Sequence, residues 1–397
     1  MNAAGQGTEL LAAPALVPAW GLYVHIPFCH HRCTYCDFVL RPLRPGLVER
    51  FLGALEREAA ELAPLVAGRA AASLYVGGGT PSVLRPDQIE RLFGLLRRHF
   101  TWQPDAEVTV EANPESLDEE RLEAFARQGV NRLSLGVQAW QPEILRRLGR
   151  RHGAAEVRRA VELARRAGLD RLNADLMFGL PGQDRAAWEE SLEAAIELGF
   201  PHLSAYALEL EPGTAFGRLH AAGRLALPDD EEVADMYDLA RHRLAEAGYE
   251  QVEISNWARP GFASRHNLLY WRTEEWLGLG PGAASRLGGL EWTDTGDVEG
   301  WMAAVEAGGP PPRRIGQLDP LRAASDAVIL GLRLRRGVDL DAFRRRFGLP
   351  LEEAFPGALE RALSTGLAEL RRGRLRLTEE GCFLANRVME EFLPPAS

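Results

Sequence analysis

The amino-acid sequence predicts an α/β protein: a partial (β/α)6-7 barrel of parallel strands, followed by a smaller, mainly helical, winged-helix-like module. Over residues 20–256, short runs rich in β-branched and aromatic residues alternate with runs of helical spacing. Strands that alternate with helices build parallel sheets from right-handed βαβ units. Six or seven units fall short of the eight that close a barrel. After residue 256 the alternation stops, so we predict that the barrel domain ends there.

Seven runs are predicted as barrel strands, and unusual residues cluster where these runs end. The runs are residues 21–28, 72–76, 107–110, 131–137, 171–177, 202–208 and 249–254. Residues 47–65 have the pattern of an amphipathic helix, and Ser116 with Glu119 predicts a capping box for another helix. In parallel α/β folds, ligands bind at the carboxyl ends of the strands. Residues at those ends are therefore the candidates for a site.

The rest of the chain is predicted to form a leader, a connecting segment and a terminal module. Residues 1–19 predict a loose leader, and residues 257–312 hold five of the nine tryptophans without a clear period. The Gly-Gly-Pro-Pro-Pro run at 308–312 predicts a stiff hinge. Residues 313–397 form the helical module. Its predicted elements are helices at 351–370 and 380–392, a hairpin turn at 372–374 and a strand at 375–377.

Charge excludes several classes of function. The 397 residues include 46 basic and 56 acidic side chains, for a net charge of −10, so no nucleic-acid partner is predicted. Every basic residue is arginine, which excludes Schiff-base lysine chemistry and the lysine of an ATP-binding P-loop. The module at residues 313–397 has 15 arginines against 12 acidic residues. A net charge of +3 is weak for DNA binding, so a docking role is favoured.

The start of the sequence and the cysteine usage predict a cytoplasmic protein. A secretory signal needs a positively charged start, yet the first basic residue apart from histidine is Arg32. No apolar run approaches the roughly 20 residues of a transmembrane helix. Tryptophan and arginine favour membrane surfaces, which leaves open a peripheral contact through residues 257–312.

Three of the four cysteines form a compact motif, Cys29-x-x-x-Cys33-x-x-Cys36. In a reducing compartment, clustered thiols favour a metal over a disulfide. Three thiolates can hold three irons of a [4Fe–4S] cluster, whereas a closed cluster takes four. The remaining iron would then be open to a small molecule. A zinc site, with His25, His30 or His31 as the fourth ligand, is the alternative from spacing alone.

The sequence around these cysteines, residues 23–38, resembles the radical S-adenosylmethionine (SAM) superfamily. Within it, the resemblance narrows to the group of oxygen-independent coproporphyrinogen III oxidases and HemW-type haem chaperones. It covers most of residues 20–275, through ordered motifs. These are Gly77-Gly78-Gly79-Thr80-Pro81, Glu111-Ala112-Asn113-Pro114-Glu115, Leu135-Gly136-Val137-Gln138, Asp175 with Gly179-Leu180-Pro181-Gly182, Glu211-Pro212-Gly213-Thr214 and His266-Asn267-Leu268-Leu269-Tyr270-Trp271.

The resemblance implies a [4Fe–4S] cluster on the three cysteines and SAM chelated to its open iron. One electron from such a cluster can cleave SAM to a 5′-deoxyadenosyl radical. The residues implied in SAM binding are Tyr23, Gly78, Gly79, Thr80, Glu111, Gln138, Arg150 and Asp175. Glycines at 77–79 would let backbone N–H groups approach a carboxylate. The alternatives are an ordinary strand-to-loop turn for the glycines, solvated strand ends for the acids and Gln138, a surface charge for Arg150 and a core aromatic for Tyr23.

Two features separate the subgroups that the sequence resembles. The oxidases carry a further cysteine where this sequence has Phe38, and they have a longer segment ahead of the cysteine loop. The run from His266 to Trp271 resembles the haem-binding signature of the chaperones. His266 and Tyr270 share one face of either a helix or a strand, and histidine is a common haem ligand. A packed core histidine is the alternative.

The resemblance therefore predicts a haem chaperone that binds a [4Fe–4S] cluster, SAM and haem, and passes haem to an acceptor protein. Haem is expected near the mouth or rim of the barrel, outside the SAM pocket. The rival function is an oxygen-independent coproporphyrinogen III oxidase, which decarboxylates its substrate oxidatively by radical chemistry. A third alternative is a metal-binding protein whose haem motif is vestigial.

Overall fold

Seven neighbouring strands of the main sheet run parallel, as the alternation of strand and helix patterns predicts. The computed structural model describes residues 19–394, so the predicted leader lies outside the described residues except for residue 19. The strands are β1 (Trp20–Ile26), β2 (Phe28–Cys29), β3 (Arg41–Pro42), β4 (Ala70–Gly78), β5 (Thr101–Ala112), β6 (Arg132–Gln138), β7 (Arg171–Phe178), β8 (His202–Ala207), β9 (Glu250–Glu253), β10 (Asn256–Ala258), β11 (Glu275–Leu279), β12 (Ala284–Leu287), β13 (Leu290–Asp294), β14 (Arg313–Gln317), β15 (Val338–Asp339), β16 (Ala368–Arg371) and β17 (Arg374–Leu377).

Helices follow most of the parallel strands and cover the outside of the sheet. They are α1 (Leu47–Leu62), α2 (Pro86–His99), α3 (Glu119–Arg127), α4 (Pro142–Leu148), α5 (Ala154–Arg166), α6 (Arg185–Glu197), α7 (Ala215–Ala221), α8 (Asp230–Glu246), α9 (Arg265–Trp271), α10 (Val298–Glu306), α11 (Pro320–Arg333), α12 (Leu340–Phe347), α13 (Leu351–Ala354), α14 (Ala358–Ser364), α15 (Glu379–Phe383) and α16 (Ala385–Met389). Within residues 19–394, no helix is both long and apolar enough to cross a membrane.

The main sheet has the order β14-β13-β12-β11-β1-β4-β5-β6-β7-β8-β10-β9. All neighbours from β11 to β8 pair in parallel. The predicted α/β fold with its parallel sheet is therefore confirmed. The last predicted barrel strand, at 249–254, is the exception, because β9 pairs antiparallel with β10 at the edge of the sheet. Only two residues join β9 to β10, and so short a connection permits antiparallel pairing alone.

The tryptophan-rich segment belongs to the sheet. Strand β11 pairs with β1 in parallel, and β12, β13 and β14 extend that edge by antiparallel pairing. Trp257 and Trp301 are fully buried. The predicted hinge at 308–312 joins α10 to β14, which pairs with β13, so it does not separate two parts of the protein. The boundary at residue 256 stays a prediction.

The C-terminal module contains the predicted hairpin but not the predicted long helix. Strands β16 and β17 pair around Arg372 and Gly373, which both have positive φ, as a two-residue hairpin turn requires. Residues 351–370 form α13, α14 and β16 instead of one helix, because Gly357 and Gly366 adopt left-handed conformations that helices do not continue through. The module packs against the barrel where α11 contacts α9.

The predicted capping box at Ser116 is wrong. Helix α3 begins two residues later than that interpretation requires, at Glu119, and its N-cap is Asp118, whose carboxylate accepts a hydrogen bond from the backbone N–H of Arg121. The hydroxyl of Ser116 instead donates to the backbone carbonyl of Asn113. A carboxylate and a hydroxyl are both good caps, so the local pattern did not distinguish them.

The barrel strands alternate between apolar residues that face the helices and polar residues that face the lumen. In β1, for example, Leu22, Val24 and Ile26 belong to the buried apolar core. The polar residues that line the lumen from β4 to β8 are Tyr75, Thr109, Glu111, Arg132, Ser134, Asn173, Asp175, His202 and Ser204. Residues two apart on a strand share a face, so one register of the sheet produces both layers. The barrel interior is therefore polar and not an apolar core.

Candidate cofactor-binding site

A cavity of about 520 Å³ opens at the carboxyl ends of the parallel strands. It contains most of the residues predicted for the site. Those that line it are Cys29, Cys33, Cys36, Gly78, Gly79, Thr80, Glu111, Gln138, Arg150 and Asp175. Tyr23 and His266 do not line it. Parallel pairing explains this convergence, because it brings the carboxyl ends of seven strands to one edge of the sheet.

The cysteine loop is fixed at both ends by hydrogen bonds. Backbone bonds join Arg41 to Pro27 and Leu43 to Cys29, and Nε2 of His25 donates to the carbonyl of Val39 at 2.7 Å. All three cysteines are free thiols. Burial raises the pKa of Cys29 and raises that of Cys36 to about 11. Without a metal the latter therefore stays protonated at neutral pH.

The glycine-rich turn after β4 needs glycine because other groups approach it closely. A Cβ on Gly78, whose φ is 107°, would lie 2.6 Å from the ring of His25. A Cβ on Gly79 would lie 2.7 Å from the carbonyl oxygen of Phe28. The sequence predicted that backbone N–H groups of this turn approach a carboxylate of the ligand. In the structure, the N–H groups of Gly78, Gly79 and Thr80 donate hydrogen bonds to acceptors of the protein itself. The turn is shaped by its packing against β1 and the cysteine loop.

Thr80 and Arg150 connect the cysteines to the cavity wall. Oγ1 of Thr80 lies 3.1 Å from Sγ of Cys29 and accepts a hydrogen bond from Nδ2 of Asn113. The guanidinium of Arg150 donates to Oδ1 of Asn113 at 2.7 Å and lies 3.7 Å from Sγ of Cys33. Arg150 is 8% exposed, so it is not the solvated surface charge of the alternative interpretation. Its Nε is buried without a partner in the described structure.

Glu111 lies at the end of β5 and receives two hydrogen bonds. The hydroxyl of Tyr75 donates to Oε1 at 2.6 Å, and the backbone N–H of Gly78 donates to Oε2 at 2.9 Å. Burial raises the pKa of Glu111 to about 7, with a contribution from Asp175, while the Tyr75 bond opposes the rise. A carboxylate so disposed can accept hydrogen bonds from a cationic ligand, which would favour its ionised form.

We expect Glu111→Gln to stabilise the cofactor-free protein and to weaken SAM binding about tenfold. Because the folded pKa exceeds the ordinary value of 4.5, the ionised carboxylate destabilises the fold, increasingly as pH rises from 4.5 to about 7. The free energy of unfolding of the variant should exceed that of the wild type by on the order of 3 kcal/mol at pH 8 and by little at pH 4.5. Denaturant titrations at both pH values measure the first effect. The change that SAM causes in the EPR spectrum of the reduced cluster measures the second, and an undiminished change would contradict it.

Asp175 and Gln138 complete the far wall of the cavity. Asp175 accepts hydrogen bonds from Ser134 Oγ at 3.0 Å and from Asn173 Nδ2 at 2.8 Å, and burial raises its pKa. Gln138 lies where the pairing of β6 with β7 shifts register, and its φ of 66° is unusual for a residue other than glycine. This irregularity ends the strand and sets the Gln138 side chain against the hydroxyl of Tyr206.

Tyr23 lies behind the cavity wall. Its hydroxyl donates to Nδ1 of His25 at 3.1 Å, and its ring stacks on Tyr75 at 6.1 Å between ring centroids. The structure therefore places Tyr23 next to residues of the cavity but not in its lining.

His266 lies beneath the cavity. Its side chain is therefore not at the mouth of the barrel, where haem was expected to bind. The residue is 1% exposed, and its Nδ1 lies 2.8 Å from Oγ of Ser73, five residues before the carboxyl end of β4. Its Nε2 lies 2.8 Å from the hydroxyl of Tyr270. Burial lowers the pKa of His266 to about 3, so the imidazole is neutral.

The N-terminus of helix α9, which carries His266, is held against the barrel by hydrogen bonds to a side chain of β5. The carboxylate of Glu107 accepts hydrogen bonds from the backbone N–H groups of Arg265 and His266 at 3.0 Å each. A carboxylate is stabilised there by the helix dipole. Gly21 makes room for the helix, because a Cβ at that position would lie 3.0 Å or less from Leu269 and His266.

Tyr75 and Asn113 are the site residues that the predictions overlooked. Tyr75 lines the cavity and binds Glu111, while Asn113 bonds with both Thr80 and Arg150. Asn113 stands inside the Glu111–Glu115 motif, so its position at a strand end was a usable signal. For Tyr75 the signal was the polar residue at every second position of the predicted strands, which indicates a polar lumen.

Comparison with known proteins shows which families this chain is similar to. The sequence model of the Radical SAM superfamily matches residues 23–195, and that of the HemN C-terminal domain matches residues 318–384. Heme chaperone HemW of Bacillus subtilis (strain 168) is 36% identical over 372 residues, which cover 94% of this chain and 98% of the relative. Heme chaperone HemW of Mycobacterium tuberculosis (strain H37Rv) is 37% identical over 387 residues, with 96% and 97% covered.

A solved structure extends the similarity to the whole fold. Coproporphyrinogen III oxidase (HemN) from Escherichia coli, described as a radical SAM enzyme, superposes with a TM-score of 0.83 at 27% sequence identity. The match covers 94% of this chain and 90% of that one. Since the HemW relatives exceed 30% identity over nearly their full length, the chain belongs to the HemW family of the radical SAM superfamily.

Proposed function

We propose that this protein is a haem chaperone, which holds a [4Fe–4S] cluster and SAM in the barrel cavity, binds haem through His266 and passes it to an acceptor protein. The observation that carries the proposal is the pairing of two sites in one barrel. Three free thiols line the cavity above, and the neutral imidazole of His266 lies below. The thiols must stay reduced, so we place the protein in the cytoplasm.

The residues of the cavity fit a cluster with an open iron. A tetrahedral zinc site, with bonds of about 2.3 Å to sulfur, needs ligands within roughly 4 Å of one another. In residues 19–394, no three His, Cys, Asp or Glu side chains form a group that could hold a metal ion, while Cys29, Cys33 and Cys36 line one cavity. Cys29, Cys33 and Cys36 would hold the cluster, with Arg150 and Thr80 beside the sulfurs. When bound, the cluster and SAM supply one-electron chemistry, while Glu111 and Asp175 offer acceptors to the ligand.

The surroundings of His266 fit a haem ligand that is held ready and covered. When Nδ1 carries the proton, it donates a hydrogen bond to Oγ of Ser73, and this bond orients the ring. In many metal sites the histidine nitrogen that does not bind the metal is held by a hydrogen bond in the same way. The lone pair of Nε2 then accepts a hydrogen bond from the hydroxyl of Tyr270. Displacing Tyr270 would free Nε2 for iron without turning the imidazole. Tyr270 and Trp276, with ring centroids 4.8 Å apart, would supply aromatic contacts to the macrocycle.

The acceptor is proposed to be a haem protein that docks on the C-terminal module. The exposed tip of the β16–β17 hairpin carries two arginines, Arg371 and Arg372. Such a surface favours an acidic partner surface.

The test is to reconstitute the cluster anaerobically and measure haem binding and coproporphyrinogen III turnover side by side. We expect a haem spectrum at one or more equivalents, and transfer to the apo-form of a haem protein that can be separated from the chaperone. A protein that binds no haem would overturn the proposal.

We expect no sustained conversion of coproporphyrinogen III to protoporphyrinogen in the presence of SAM and reductant. Phe38, 54% exposed at the edge of the cavity, stands where the sequences of the oxidases have a further cysteine. Rates of product formation by the purified, cluster-loaded protein measure this directly. Multiple turnovers would refute the prediction and favour the oxidase function.

A further inference from the structure

The two proposed ligand sites are connected by one side chain, Tyr75. This residue lies in the middle of β4 and lines both the large cavity and a polar cavity of about 50 Å³ beneath it. Its hydroxyl donates to Oε1 of Glu111 at 2.6 Å. Its ring stacks on the imidazole of His266, with centroids 5.0 Å apart and planes inclined by 27°.

The contacts continue on the far side of His266. The ring of Tyr270 meets the imidazole edge-on at 5.0 Å and meets Trp276 edge-on at 4.8 Å. A continuous row of packed rings therefore runs from the carboxylate in the upper cavity to the aromatic residues around the histidine. Packed rings have few alternative arrangements, so a change in the position of one constrains the next.

We propose that Tyr75 is a positioning residue that couples the two sites, so that SAM bound at Glu111 holds His266 in its covered position and weakens haem binding. The inference rests on the proposed function. A cationic ligand at Glu111 favours the ionised carboxylate, and a hydrogen bond from Tyr75 to a carboxylate is stronger than one to a neutral acid. The tightened bond fixes the Tyr75 ring over His266. Loss of SAM weakens that bond and loosens the row of rings, so that Tyr270 can move away from Nε2 of His266 and leave it free for iron.

The free carboxyl is suited to this response. Its pKa of about 7 means that the neutral and ionised forms are both populated in the empty site at neutral pH. Binding of a cation would increase the ionised fraction of Glu111, and this would strengthen the hydrogen bond that the Tyr75 hydroxyl donates to it. Because coupling between binding sites is reciprocal, haem should weaken SAM binding by the same factor.

The experiment titrates cluster-loaded protein with ferric haem, with and without saturating SAM and without reductant, so that SAM is not cleaved. We expect haem affinity to fall about five- to tenfold with SAM, within the usual range of coupling between sites. Tyr75→Phe keeps the stacked ring and removes the hydroxyl, so the difference should shrink below twofold. Tyr237→Phe is the matched control: it removes a hydroxyl that donates to the carbonyl of Ile254 outside the lumen and should keep the full difference.

Hydrogen–deuterium exchange of the α9 amides provides a second readout that needs no haem. SAM should slow exchange in α9 of the wild type and of Tyr237→Phe, but not of Tyr75→Phe. Equal protection of α9 with and without SAM in the wild type, or full coupling in Tyr75→Phe, would overturn the inference. If haem does not bind at all, the proposed function fails, while the exchange experiment still decides whether Tyr75 links Glu111 to His266.

Discussion

Replacing Cys29, Cys33 or Cys36 with serine is expected to lower the iron content of reconstituted protein from about four atoms per chain to nearly none. Each thiol would supply one of only three protein ligands, and a hydroxyl does not replace a thiolate as an iron ligand. The loop itself should survive, because its ends are fixed by backbone bonds and by the bond from His25 to Val39. Iron and acid-labile sulfide analysis, with the visible absorption of the cluster, measures the effect.

Cys382→Ser is the matched control for the cluster prediction. This thiol is buried in the C-terminal module, where Arg335 lies 3.0 Å from its sulfur, and it is remote from the cavity. Its replacement should leave iron and sulfide unchanged. Stoichiometric zinc without acid-labile sulfide in the wild-type protein would show that the cysteines form a zinc site instead.

Replacing His266 with glutamine is expected to abolish the Soret band of bound haem or shift it, and to weaken haem binding at least tenfold. The variant loses the nitrogen proposed to ligate iron, while an amide of similar reach can still bond with Ser73 or Tyr270. Cluster content should be unaffected, since His266 does not line the upper cavity. Haem titration, iron analysis and thermal unfolding together separate loss of a ligand from loss of the fold.

Tyr270→Phe provides the complementary variant for the haem ligand. It removes the hydroxyl that lies 2.8 Å from Nε2 and keeps the ring against Trp276. Because the nitrogen is then uncovered, haem should bind at least as tightly as in the wild type. If His266→Gln binds haem with an unchanged spectrum and affinity, another residue is the ligand.

The fold was predictable wherever a local pattern decides the geometry. Parallel strands followed by helices brought the cysteine loop, Glu111 and Asp175 to one cavity, because strand ends meet whatever the details of packing. The β16–β17 hairpin was predictable from Arg-Gly-Arg, since a two-residue turn needs residues that tolerate positive φ.

The remaining features depend on contacts between distant parts of the chain. Strand β11 pairs with β1, which lies about 250 residues earlier in the sequence. The residues of β11 do not indicate which strand it pairs with. The same holds for His266, whose position is fixed by Glu107 and Ser73 on two other strands. A motif identified the residue as a candidate, but only the packing of α9 shows that its imidazole is covered.

The polar lumen has a consequence for how long the protein survives in a cell. Within the barrel, apolar burial, the main source of folding free energy, lies mainly between the strands and the helices, and the proposed cluster and SAM would complete the polar interior. A ligand present at a hundred times its dissociation constant adds about 2.7 kcal/mol to stability, a large share of the margin of a typical protein. Chains that lack cluster and SAM would therefore unfold and be degraded first. The abundance of the protein would then follow the cellular supply of iron and sulfur, without any dedicated sensor.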